Sequence, residues 1–134
     1  MHVTCQNLVI NCVDFRIQKS ICDWLEKRDL TGDYDHLCTA GGIQDLVRPC
    51  VLTTEALFKE ITLSCNLHQV KRIILINHEN CGAYGDALEA GSAKEQETHH
   101  ADLSQAKALI NEHWPQIEVE TWFYQLNGEF IQLN

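Results

Sequence analysis

Two short stretches of this chain carry side chains able to do chemistry together. Cys12-Val13-Asp14-Phe15-Arg16 lies near the start, and His78-Glu79-Asn80-Cys81 follows a run of apolar residues. Between them they offer two thiolates and one imidazole, the ligand set of a catalytic zinc site. Structural zinc is closed by four protein ligands, whereas three leave a position for water and substrate. If Cys12, His78 and Cys81 converge, the expected chemistry is activation of a water molecule on Zn2+. Two thiolates cancel the charge of the ion, so such a water needs help to ionise. Asp14 can accept its hydrogen bond and orient the hydroxide. Arg16 would hold Asp14 ionised and in place through a two-pronged contact. Were Arg16 to let go, Asp14 could itself become the fourth ligand and close the site. The loop Ala40-Gly41-Gly42 lets backbone approach closely. The N–H groups of Gly41 and Gly42 could donate to a developing anion there. The competing reading is a buried Cys12, a hydrogen-bonded His78, a structural Asp14–Arg16 ion pair and a turn that ends a strand.

The elements that must position these groups follow from hydrophobic periodicity. Leu8-Val9-Ile10 is short and apolar, a buried strand. Ile21, Trp24 and Leu25 have helical spacing, with closure expected near Gly32. Tyr34 to Cys38 is a weaker strand. Thr53 or Thr54 can cap a helix with Leu57, Ile61 and Cys65 on one face. Arg72 to Ile76 is continuously apolar after its first residue, as in a parallel strand buried on both faces. Leu103, Ala106, Leu109 and Ile110 mark another helix, ended before Pro115. Ile117 to Tyr124 alternates, Asn127-Gly128 signals a hairpin turn, and Glu129 to Leu133 reads as an antiparallel edge strand. The expected fold class is α/β: one domain over 1–134, a small mostly parallel sheet with helices on both faces and a C-terminal antiparallel hairpin strand. Such sheets bind ligands beyond the carboxyl ends of their strands, where strand order reverses. Cys12 directly follows the first strand, and His78 follows the third after one residue, so both are expected in one crevice.

Composition narrows the function classes. The 134 residues are 45% hydrophobic and 22% charged, with a net charge of -9. That balance argues against nucleic acid or an anionic membrane as the main partner. The first residues lack the basic and apolar regions of a signal peptide, and no apolar run approaches a membrane span, so a cytoplasmic protein is expected. Seven cysteines, an odd number, make a poor disulfide framework. Cys22, Cys38 and Cys65 are expected to be small buried hydrophobes.

At this point a family resemblance becomes specific. Cys12-x-Asp14-x-Arg16 paired with His78-x-x-Cys81-Gly82 resembles the β-class carbonic anhydrases. Asn77 to Ala83 has that family's look around its His-x-x-Cys. Ala40-Gly41-Gly42 resembles the Asn-Ala-Gly segment after the second strand, and Thr121 to Tyr124 with Asn127-Gly128 resembles the closing strand and hairpin. The resemblance implies Zn2+ on Cys12, His78 and Cys81, Asp14 with Arg16 as the catalytic dyad, and reversible hydration of carbon dioxide to bicarbonate and a proton. It also implies a homodimer or larger assembly, although the first strand begins almost at once where most members carry an N-terminal helical arm. His2, His36, His68, His99, His100 and His113 are all candidates for a proton shuttle by titration range. Asn11 and Glu79 depart from the family and are expected to alter polarity around the metal. The same site could instead hydrolyse carbonyl sulfide or carbon disulfide, or bind bicarbonate with little chemistry. A redox role for Cys12 and Cys81 is disfavoured because no CxxC pair exists.

Overall fold

The computed structural model describes residues 3–48 and 50–133. Five strands form one sheet: β1 (Asn7–Asn11), β2 (Tyr34–Cys38), β3 (Arg72–His78), β4 (Glu118–Tyr124) and β5 (Phe130–Leu133). Their spatial order is β2-β1-β3-β4-β5. The first four are parallel, and β5 returns antiparallel on β4. The helices are α1 (Gln18–Lys27), α2 (Gln44–Val47), α3 (Val51–Leu63) and α4 (Ala93–His113).

The apolar runs make this arrangement three layers deep. Successive residues of a strand point to opposite faces, so β1 and β3 each need cover on both sides. Val9, Ile74 and Ile76 meet Ile21 and Leu25 of α1 on one face. Leu8, Ile10, Ile73 and Leu75 meet Leu57 and Ile61 of α3 and Leu103, Ala106 and Ile110 of α4 on the other. The chain runs from β1 out to β2, then crosses back over β1 to β3. Strand order therefore reverses between β1 and β3, and the crevice opens at their carboxyl ends.

Several local expectations are corrected. Helix α1 ends at Lys27, well before Gly32, because Asp29 takes a left-handed φ of 59° and turns the chain. Neither Thr53 nor Thr54 is the N-cap of α3. That position is Cys50, and Thr54 bonds back from inside the first turn, its Oγ1 accepting from Cys50 N at 3.1 Å and donating to Asp45 O at 2.6 Å. Cys22 and Cys38 are exposed and Cys65 is only half-buried. Cys22 follows the buried Ile21 by one helical step, which rotates it off the core face, and Cys38 ends an edge strand. Strand β3 runs through His78, which pairs with Tyr124. No described helix is long and apolar enough to cross a membrane.

Candidate metal centre

Cys12 is the first residue past β1, His78 the last of β3, and Cys81 closes the tight turn that follows. All three are buried, and their ligand atoms lie within 4.8 Å of one another. The two sulfurs are 3.8 Å apart. His78 is 1% exposed, and its Nδ1 lies 2.7 Å from the carbonyl oxygen of Glu79. A carbonyl only accepts, so Nδ1 carries the proton and Nε2 keeps the lone pair. That Nε2 is buried with no hydrogen-bond partner among the described residues. Leaving such an atom unsatisfied costs about 1–3 kcal/mol. Two thiols and an unpartnered imidazole nitrogen fit a tetrahedral cation with one open position.

Contact between the two thiols pulls Cys12 below the ordinary thiol range, and the same contact, reinforced by burial, pushes Cys81 above it. Gly41 N–H also donates to Cys12 Sγ, at 3.4 Å. Gly41 has φ 77°, and a Cβ there would come within 2.9 Å of the Gln44 Cβ. Both loop N–H groups already have partners among the described residues. Gly41 N–H is directed at a sulfur, and Gly42 N–H donates to Thr39 O at 2.9 Å.

Asp14 and Arg16 form the two-pronged pair expected. Arg16 Nε donates to Oδ1 at 3.0 Å and Nη2 to Oδ2 at 2.7 Å, while Arg16 N–H also reaches Oδ1 at 2.9 Å. The guanidinium holds the Asp14 carboxyl at about 2, far below the usual carboxylate range. Asp14 Oδ2 stands 3.9 Å from His78 Nε2. Arg16 does more than hold Asp14. Its Nη1 donates to Asn80 Oδ1 and its Nη2 to Asn80 O, both at 3.0 Å. One arginine thus joins the loop after β1 to the turn between His78 and Cys81. Asp14, Phe15, Arg16, Asn80 and Cys81 line an open cleft of about 520 Å³.

Several supporting residues escaped the sequence reading. Gln18 Nε2 donates to the carbonyls of Cys12 and Asp14, each at 2.8 Å, and so fixes the first loop. Asn77 Nδ2 donates to Tyr84 Oη at 3.1 Å and to His99 Nδ1 at 3.0 Å, forming a buried polar wall behind the site. Burial pulls His99 down to about 4. Glu95 accepts from Asn80 N–H at 2.8 Å. Its only signal in sequence is Ser92-x-x-Glu95, a helix-capping pattern. Asn11 and Glu79 bond groups other than the three candidate ligand atoms. Asn11 Nδ2 donates to Cys12 O and its Oδ1 bonds His36, while Glu79 Oε2 accepts from Leu126 N–H. His68 pairs with Asp35 at the opposite end of the sheet and His113 bonds Leu109 O. Of the shuttle candidates, His2 lies outside the described residues, and none of the others lines the cleft.

Comparison with known proteins agrees with this geometry. Residues 2–134 match a family model described as "Putative carbonic anhydrase". An uncharacterized protein of Rickettsia bellii (strain RML369-C) is 32% identical, over 94% of this chain and 80% of its own. One of Rickettsia conorii is 30% identical, over 94% and 70%. Among solved structures, a carbonic anhydrase from Streptococcus mutans superposes with a TM-score of 0.67 at 16% identity, covering 99% of this chain and 84% of that one. A carbonic anhydrase from Glaciozyma antarctica gives 0.66 at 17%, covering 100% and 85%. Tetrameric β-carbonic anhydrases of Sordaria macrospora give 0.62 at 19%, covering 98% and 82%. A sheet in this order, two thiols and an imidazole gathered at its reversal point, and a family model spanning almost every residue place the chain in the carbonic anhydrase family, on the β-class fold.

Proposed function

We propose that this chain is a zinc-dependent carbonic anhydrase, converting carbon dioxide and water reversibly to bicarbonate and a proton. The observation that carries the reading is His78 Nε2, buried and unpartnered within 4.8 Å of the sulfurs of Cys12 and Cys81. These three residues would hold the ion. When bound, zinc supplies the Lewis acidity that brings the pKa of water toward neutrality. The chain's own groups then decide orientation. Asp14, kept ionised by Arg16, can only accept at its oxygens, so it selects the water or hydroxyl orientation that donates to Oδ2. An acceptor fixed this way costs no reorganisation during the reaction. Gly41 N–H, spent on Cys12, reduces the electron density that sulfur gives to the ion.

The intact Asp14–Arg16 pair favours catalysis over simple bicarbonate binding, which has no need of an oriented acceptor. Phe15, 87% exposed at the cleft, and the exposed Val13 beside it support a homo-oligomer in which a second subunit covers the mouth. The free thiols among the described residues support a cytoplasmic, reducing location.

The test is stopped-flow hydration of carbon dioxide by zinc-loaded protein, with Cys12→Ser as the blank. Turnover that disappears in the blank is the expected result. One bound zinc per chain without turnover would sink the proposal and direct the search to carbonyl sulfide and carbon disulfide.

A further inference from the structure

Glu95 is 1% exposed, yet it belongs to the first turn of α4, where a capping carboxylate is ordinarily solvated. Ser92-Ala93-Lys94-Glu95 reads as a capping box, and half of one is present: Ser92 Oγ accepts from Glu95 N–H at 3.1 Å. The reciprocal bond is missing because Ser92 N–H already donates to Glu89 O at 3.0 Å. Glu95 is thereby released to reach further. Its Oε1 accepts from Gly91 N–H at 2.9 Å, and its Oε2 accepts from Asn80 N–H at 2.8 Å.

Asn80 is the residue between the candidate ligands His78 and Cys81 that makes their turn possible. It takes a left-handed φ of 57°, which asparagine tolerates better than most residues. In that conformation its carbonyl and its Oδ1 both receive Arg16, which in turn grips Asp14. A continuous chain of hydrogen bonds therefore runs from α4 through Asn80 and Arg16 to the acceptor oxygens of Asp14. Burying a carboxylate is costly and a cap does not require it; fixing this turn does.

We propose that Glu95 is a positioning residue: by holding Asn80 N–H it sets the spacing of His78 and Cys81 and aims the Asp14–Arg16 pair. This rests on the functional reading above. Groups that orient metal ligands from behind are worth 10- to 100-fold in metal affinity or activity, and Glu95 is expected to fall in that range. Gln at this position places an amide donor against one of two backbone donors.

The experiment compares Glu95→Gln with Ser92→Ala, which weakens the same helix cap without touching Asn80. Zinc affinity is measured by competition with a chromophoric chelator, stability by thermal unfolding, and kcat and KM by stopped flow. Both variants are expected to lose stability. Only Glu95→Gln should lose zinc affinity, by 10- to 100-fold, and lower kcat with KM little changed. At saturating zinc, Arg16→Lys/Glu95→Gln should be no slower than Arg16→Lys alone, since both then act on Asp14 along one chain. If Glu95→Gln matches Ser92→Ala in zinc affinity and the double variant is additive, Glu95 is only a cap and the proposal is overturned. Should the wild type show no hydration activity, the functional reading fails, while the zinc affinities of the two variants still decide the role of Glu95. Should Glu95→Gln not fold, amide exchange of wild-type Asn80 decides: strong protection that drops in Glu95→Asp is expected, and unprotected exchange overturns the proposal.

Discussion

The two ends of the sheet each gather three possible metal ligands, and only one end looks like a metal site. At the carboxyl end stand Cys12, His78 and Cys81; at the amino end stand Cys5, Asp35 and His68, whose ligand atoms also lie within 4.8 Å of one another. The amino-end group is satisfied without any ion. His68 Nδ1 bonds both oxygens of Asp35 at 2.7 and 2.8 Å, Ser64 Oγ donates to Asp35 at 2.6 Å, and Cys5 Sγ donates to Asn7 O at 3.4 Å. At the carboxyl end His78 Nε2 has nothing, and the other buried side-chain atoms left unpartnered among the described residues, Asn77 Oδ1 and His99 Nε2, belong to the same end. Proximity of ligand types is therefore weak evidence. A buried lone pair with no partner is stronger, because folding tolerates that cost only where something else repays it.

The sharpest way to break this comparison is metal content. Cys12→Ser is expected to fall from one zinc per chain to near none after purification, whereas Cys5→Ser keeps its zinc. Elemental analysis of both proteins decides; a second zinc that disappears with Cys5 would equalise the two ends. The next largest effect is on rate. Asp14→Asn replaces an acceptor-only oxygen pair with one that also donates, and misplacing such a group typically costs 10²- to 10⁴-fold. A fall of about 100-fold in kcat/KM is expected, against no change for Asp35→Asn. Equal losses would show that the carboxylate acts through the fold rather than at the site.

The carboxyl-end group was legible in the residues, whereas the amino-end group and its internal bonds were not. The strands announced themselves because β1 and β3 are buried on both faces and so read as uninterrupted apolar runs. Their order then brought Cys12 and His78 together without any knowledge of side-chain contacts. What stayed hidden depends on partners distant in sequence. Nothing local to Glu95 says that it will meet Asn80, and nothing in Ala40-Gly41-Gly42 says that one N–H is aimed at a sulfur. Cys22 misled for the opposite reason: cysteine is commonly buried, but one helical step from Ile21 is enough to leave the core.

A third charged cluster sharpens the contrast by linking burial to pH. Glu120 on β4 is buried, with Arg28 donating to its two oxygens at 2.9 and 3.0 Å and the charge of Arg72 paired with it at 3.2 Å. Burial raises its carboxyl, but the bonds from Arg28 and Trp122 and the charge of Arg72 outweigh that, leaving it below the ordinary range. A depressed carboxylate contributes stability above its unfolded pKa of about 4.3 and loses it as pH falls through the folded value. Glu120→Gln should therefore cost about 2 kcal/mol at neutral pH. The gap between the two proteins should be flat above about pH 5 and shrink below about pH 4. Denaturant unfolding across pH reads this directly, with zinc content unchanged. A gap that widens in acid would reverse the sign of the linkage.

The smallest effect belongs to the amino-end group itself. The His68–Asp35 pair is partly open to water, with side chains 38% and 28% exposed. Exposed pairs of this kind contribute about 0–1 kcal/mol, and the Ser64 bond to Asp35 adds a further increment of the same order. Asp35→Asn is thus expected to lower stability by about 1 kcal/mol and to leave both zinc content and turnover as they were. Ser64→Ala should produce part of that loss, and the two losses should not add fully in the double variant, because the two side chains share one hydrogen bond. The measurement is chemical unfolding of the three variants with and without added zinc. Zinc should shift the midpoints of all three as it shifts the wild type, since the proposed ion site lies at the other end of the sheet. A zinc shift that shrinks in Asp35→Asn alone would mean that the ion binds between Cys5 and His68 after all.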